Sequence, residues 1–166
     1  STLVQFLAEG EGTDTSARRQ VQTFIAAEAI AANDAVSLDL SQAIDGDKSL
    51  KVVKADTGTA TDRCFVGIAL AGVASGERVD VCIAGICEAN VNGSTAAGSI
   101  LQIGSTAGQL DIRTVAVDEG GSATFNLYPI AAIASEADTG NVATVFVFKQ
   151  FLGSSSFTGG PFLPYR

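Results

Sequence analysis

Residues 66–91, VGIALAGVASGERVDVCIAGICEANV, decide how the chain is read. Two apolar runs flank a small-residue turn, Ala74-Ser75-Gly76-Glu77. The first run, Val66 to Val73, is apolar throughout and reads as a strand buried on both faces. The second begins at Arg78 and alternates. Val79, Val81 and Ile83 point one way, Asp80 and Cys82 the other, so one face is set against a core. Gly76 suits a turn position of positive φ. Gly85, inside the second run, marks a β-bulge or a close backbone approach, and Ile86 and Val91 resume the strand beyond it. The expected unit is a hairpin at the centre of an all-β domain, and nothing in it suits catalysis.

Working outward, the same grammar recurs. QVQTFIA, residues 20–26, alternates around Val21, Thr23 and Ile25 and reads as a strand. AEAIAANDAVSLDL is rich in alanine, but Asn33-Asp34 is a turn signal and Val36, Leu38 and Leu40 alternate after it, so turn-then-strand is expected. Asp45-Gly46-Asp47 reads as a hairpin turn into a returning strand that carries Leu50, Val52 and Val53, with Lys51 and Lys54 wet. Residues 56–63 form a loop. Beyond the central hairpin, Asn92-Gly93, Ala97-Gly98, Gly104 and Ala107-Gly108 separate short apolar strands. VATVFVF, residues 142–148, is the most β-prone run, with Val145 and Val147 on one side and Phe146 and Phe148 on the other. AANDAVSLDL, ASGERVDVCI and TAAGSILQI share a turn-into-strand pattern without a fixed period. The expected fold is all-β, a compact β-sandwich or β-barrel of short antiparallel strands at residues 20–150, with extended arms at 1–19 and 151–166.

The two ends differ from the body. Residues 1–19 carry an isolated apolar patch ahead of a polar, Gly-containing stretch and the basic pair Arg18-Arg19. Residues 151–166 are rich in Gly and Ser, yet hold Phe151, Phe157, Phe162 and Tyr165. From Thr139 to Arg166 there is no acidic residue. Aromatic anchors on a glycine-rich segment imply grooves elsewhere to receive them. We therefore expect partner contacts through Leu3, Phe6, Arg18, Arg19, Phe151, Phe157, Phe162, Tyr165 and Arg166.

Composition narrows the function. The chain has 166 residues, enough for one domain with a proper core. Charged residues make up 17% against about 25% in ordinary soluble domains, and hydrophobic residues 46%, so excess apolar surface is expected in subunit contacts. A net charge of −8 opposes binding to nucleic acid through its phosphates. No run is long and apolar enough for a membrane span, and the opening STLVQFLAEGEG has acids where a secretory leader has a positive region.

There is no histidine, which removes Ser-His-Asp and Cys-His catalysis and the commonest metal ligand. Cys64, Cys82 and Cys87 are odd in number and wrongly spaced for a zinc knuckle. They read as reduced, buried small hydrophobes. The glycines fit no phosphate-binding motif. No catalytic residue, cofactor or metal is expected.

Three stretches, AIAANDAVSLDL, FVGIALAGVASGERVDVCIAG and STAAGSILQIGSTAGQL, resemble the small capsid decoration (cement) proteins of tailed bacteriophages. The resemblance rests on Gly67-Ile68-Ala69, Ser75-Gly76-Glu77, Val79-Asp80-Val81 and Ala97-Gly98-Ser99, and covers residues 30–110 but neither end. It implies a compact β domain, usually a homotrimer, made in the host cytoplasm and placed on the outer surface of the capsid. There it would staple adjacent copies of the major capsid protein. The alternatives are another virion subunit (fibre, tail or shell component) or a trimeric β-fold enzyme with a site between subunits.

Overall fold

The computed structural model describes residues 19–58, 64–113, 124–125, 130–148 and 157–158. Eleven strands and one short helix occur among them: β1 Gln20–Ala26, β2 Ala35–Leu38, α1 Asp45–Leu50, β3 Lys51–Lys54, β4 Phe65–Ala69, β5 Arg78–Asn92, β6 Ile100–Ile103, β7 Leu110–Ile112, β8 Thr124–Phe125, β9 Ile130–Ala134, β10 Val142–Val147 and β11 Phe157–Thr158. Nine strands form one sheet in the order β1-β3-β2-β4-β5-β10-β9-β6-β7, and β8 pairs with β11 separately. Two further pairings, β1 with β5 and β5 with β7, close that sheet on itself twice. The result is two five-stranded barrels sharing β5. The first holds β1 to β4 and the start of β5, the second the end of β5 with β6, β7, β9 and β10. The all-β expectation holds, in its barrel form. Most pairs are antiparallel, but β1 with β3 and β5 with β7 run parallel, and β5 is 15 residues long rather than short.

β5 serves both barrels because its backbone turns over midway. Val79, Val81 and Ile83 pack in the first barrel's core, while Cys82 faces the other way, into the second core. The ladder with β1 slips at Ile83, between Cys82 and Ala84, rather than at Gly85, which has φ 100 and pairs in register with Val147. Beyond the slip the parity changes, so Cys87, Ala89 and Val91 join Cys82 in the second core. The first core is completed by Phe24, Ala26, Ile30, Val36, Val52 and Ala69, the second by Leu101, Ile103, Leu110, Val145, Val147 and a set of alanines.

The barrels share one topology. β1, β2, β3, β4 and the start of β5 pair with one another as the end of β5, β6, β7, β9 and β10 do. The registers correspond: Ala35, Val36 and Ser37 face Ile68, Gly67 and Phe65, while Ile100, Leu101 and Gln102 face Ile133, Ala132 and Ile130. Each equivalent pair is offset by 65 residues (35 to 100, 68 to 133), and each ladder slips after its second residue. The Ala69 amide donates to Asp34 O at 2.9 Å, as Ala134 does to Ser99 O at 2.9 Å. The Ala31 amide donates to Asp34 Oδ2 at 2.8 Å, as Ala96 does to Ser99 Oγ at 3.1 Å.

Three expectations need correction. Asp45-Gly46-Asp47 is not a tight hairpin turn but the start of α1; β2 and β3 do pair antiparallel, with the helix in their connection. Acids in its first turn, Lys48 in its last, and pairs from Lys48 to Asp45 at 2.9 Å and Lys51 to Asp47 at 3.2 Å favour helix over turn. Leu50 consequently ends the helix, exposed, instead of packing in a strand. Leu40 lies beyond β2, also exposed. The run Val66 to Val73 is a strand only as far as Ala69, after which the chain turns outward through exposed Ala71 and Gly72.

Candidate functional site

Strand pairing assembles an apolar row that crosses the outer face of the second barrel. On β10, Val145 and Val147 are fully buried, so Phe146 between them points outward. Phe146 lies directly opposite Ile86 of β5 on one side and Ile133 of β9 on the other, and Ile133 lies opposite Ile100 of β6. Directly opposed residues share a face, so the four side chains form one row over four strands. Ile86 is 39% exposed, Phe146 40% and Ile100 42%, with Ile133 half-buried. The Phe148 ring, half-buried, stands 5.0 Å from that of Phe146, tilted by 58°. Glu88 opposite Thr144 bounds the row with polar groups on one side, and on the other Gln102 stands opposite the half-buried Ile130. A lone exposed isoleucine is ordinary on a protein surface; three in register with an aromatic make a contiguous apolar strip of the kind that suits a contact.

Beside the apolar contact between the barrels lies a polar one, around Asp34 and Asn90. Asp34, buried, accepts from the Ala31 amide and, at 2.9 Å, from Asn90 Nδ2. The same Asn90 amide group donates to Ala32 O at 3.1 Å, and the Asn90 backbone amide donates to Asn33 O at 2.8 Å. Thus one side chain of β5 holds the turn that enters β2. Among the described residues no group of three or more His, Cys, Asp or Glu is placed to hold a metal ion. None of their helices is long and apolar enough to cross a membrane. The three cysteines are free thiols; Cys82 and Cys87 are buried and Cys64 half-buried.

Of the contact residues expected from the sequence, Leu3, Phe6, Arg18, Phe151, Phe162, Tyr165 and Arg166 lie outside the described residues. Phe157 is placed through its backbone, paired with Phe125. Arg19 is exposed just ahead of β1, and its charge favours the thiolate forms of both Cys82 and Cys87. The row of Ile86, Ile100, Ile133 and Phe146 was not among the expected contacts. Its signal was present in VATVFVF, where both faces of one strand are apolar.

No protein-family model and no curated protein matches the chain. Among solved structures it is similar to the head fiber gp8.5 N base of bacteriophage phi29, with a TM-score of 0.52 and 15% identity, covering 81% of this chain and 98% of that one. At that identity the likeness is one of fold.

Proposed function

We propose that this protein is a structural, non-enzymatic component of a phage virion that decorates the outer surface of the head and binds adjacent copies of the major capsid protein. The observation that carries this reading is the fold shared over 81% of the chain with the base of a phage head fibre. Three features agree with it. The net charge of −8 suits a place away from packaged DNA. The exposed apolar row suits adhesion to another protein. The acid-free, aromatic stretch beyond Val147 suits docking on a neighbouring subunit. In this role the protein works as a homotrimer without cofactor, nucleic acid or membrane.

The test is co-sedimentation of the purified chain with expanded, DNA-free phage heads. Binding to assembled heads but not to unassembled capsid protein is expected, and removal of residues 153–166 should weaken it while circular dichroism stays unchanged. Binding that survives the truncation overturns the assigned role of the tail, and no binding to any head overturns the decoration role.

A second reading, the base of a head fibre, is favoured by the same similar structure, whose own description is such a base. Immunolabelling of virions separates the two: label over the whole head supports decoration, and label at the foot of discrete fibres supports the alternative.

A further inference from the structure

We propose that the outer row Ile86, Phe146, Ile133 and Ile100 of the second barrel receives the first barrel of a second copy of this chain, in a head-to-tail contact. The molecule itself shows what covers such a row. At the same register in the first barrel stand Val21, Cys82, Ile68 and Ala35. Val21 lies opposite Cys82, Cys82 opposite Ile68, and Ile68 opposite Ala35, as Ile86, Phe146, Ile133 and Ile100 follow one another. These too face away from their own barrel's interior. Yet Cys82, Ile68 and Ala35 are fully buried, because they pack into the core of the second barrel with Cys87, Leu101 and Val145. Val21, at the end of the row, stays exposed; its other three positions are thus a coupling between successive barrels, made once within the chain and left open once.

Side-chain size points the same way. Where the coupling is made, the row holds Cys, Ile and Ala. Where it is open, it holds Phe, Ile and Ile, larger apolar groups at a position where solvent alone would favour polar ones. The receiving end is open as well. In the second barrel Ile103 and Val147 are fully buried within the core that takes up the first barrel's row. Their equivalents in the first barrel, Leu38 and Ile83, are only half-buried. One free donor row and one free acceptor end on the same molecule define a heterologous contact, which either closes into a ring, such as a trimer, or runs on as a filament. This deepens the self-association proposed above, and its failure is separable from failure of the capsid reading, since it is read on the purified chain without heads.

The experiment is sedimentation velocity of the full chain across a wide concentration range. Wild type is expected to associate. Phe146→Glu, which blocks the donor row, is expected to weaken association by about 30-fold or more, as an aromatic anchor does. Leu38→Glu, which blocks the acceptor end, is expected to do the same. The decisive step mixes the two. Each is monomeric alone, but the intact acceptor of one fits the intact donor of the other, so the mixture forms a dimer that grows no further. Melting curves establish that both variants fold. A measurement needing no variant is amide exchange in β9 and β10, expected to slow as wild-type concentration rises. A monomeric wild type, unchanged association of Phe146→Glu, or a mixture of folded variants that stays monomeric overturns the proposal. Association that arises only after residues 151–166 are removed assigns the row to the chain's own C-terminal segment and overturns it equally.

Discussion

Asn33 and Gly98 hold the same turn in the two barrels. Both have positive φ, 68° and 84°, and each amide donates at 2.8 Å to the last residue of a strand that pairs with the one the turn enters, Asn33 to Ala69 O of β4 and Gly98 to Ala134 O of β9. Asparagine is one of the few side-chain-bearing residues that visit this region readily, and glycine enters it without strain. Asn33→Gly should therefore be close to neutral. Gly98→Val should lose about 1 kcal/mol or more, although a Cβ there meets no atom within 4 Å, because the cost is in the backbone alone. Urea titrations of both variants check the asymmetry.

Gly67 and Ala132 are equivalent in register but not in tolerance. A Cβ on Gly67 would stand 2.1 Å from Cys82 O and 2.9 Å from Val81 Cγ1, on the rigid wall of β5. Ala132, opposite Val147 in the second barrel, already carries that methyl group. Gly67→Ala should destabilise by roughly 3 kcal/mol through forced displacement of a buried strand. Ala132→Gly should cost about 1–2 kcal/mol, from backbone entropy and one lost buried methyl. Equal losses in chemical denaturation would contradict the close approach.

These comparisons show which parts of the fold were legible in the sequence. The alternation of Val79 and Val81, the positive φ at Gly76 and the turn at Asn33-Asp34 are local, written in period and turn residues, and the structure has them. The duplication is not local. At equivalent positions the barrels keep Ala31 with Ala96, Ala32 with Ala97, Ile68 with Ile133 and Ala69 with Ala134, while Asn33 stands for Gly98 and Cys82 for Phe146. Strand pairing and turn conformation persist where identity does not, so AANDAVSLDL and TAAGSILQI share a turn pattern and little more. The apolar row was hidden for the same reason. Strand order alone brings residues 86, 146, 133 and 100 side by side. The helix at Asp45–Leu50 was missed because two acids around a glycine serve a helical first turn as well as a tight one.

Asp39 makes stability depend on acid. Burial opposes its ionisation most strongly of any single influence. The Ser41 hydroxyl at 2.6 Å, the Gln42 side-chain amide, the Ser41 backbone amide at 3.0 Å and the Lys51 charge together outweigh it, so its pKa falls below the ordinary 3.8. A group whose folded pKa is depressed contributes stability above its unfolded pKa and loses it as pH falls through the folded value. Melting temperature should thus decline as pH drops below about 4. Asp39→Ala should lower stability at neutral pH by about 1–2 kcal/mol and flatten that acid limb. An unchanged acid limb in the variant would remove Asp39 from the account.

Ser37 sits fully buried in β2, and its Oγ has no hydrogen-bond partner. A buried hydroxyl left unpaired costs more than a methyl group of the same place. Ser37→Ala should therefore raise stability, by about 0.5–1 kcal/mol, without altering the far-ultraviolet spectrum. A loss of stability on this substitution would mean the hydroxyl is satisfied in solution.

The thiols should separate by access rather than by acidity. Cys87 donates to Cys82, which lowers the pKa of Cys82 and raises that of Cys87; burial pushes Cys87 further up and opposes the fall at Cys82. Acidity alone would make Cys82 a nucleophile, since the thiolate is the reactive form. But Cys82 is fully covered by the coupling between the barrels, whereas Cys64 is half-buried ahead of β4. Iodoacetamide on the native protein should label Cys64 first and leave Cys82 and Cys87 intact, and all three should react in denaturant. Mass spectrometry of digests reads the outcome. Prompt native labelling of Cys82 would show that the two barrels separate readily in solution, and so that the buried row is a weaker contact than its packing implies.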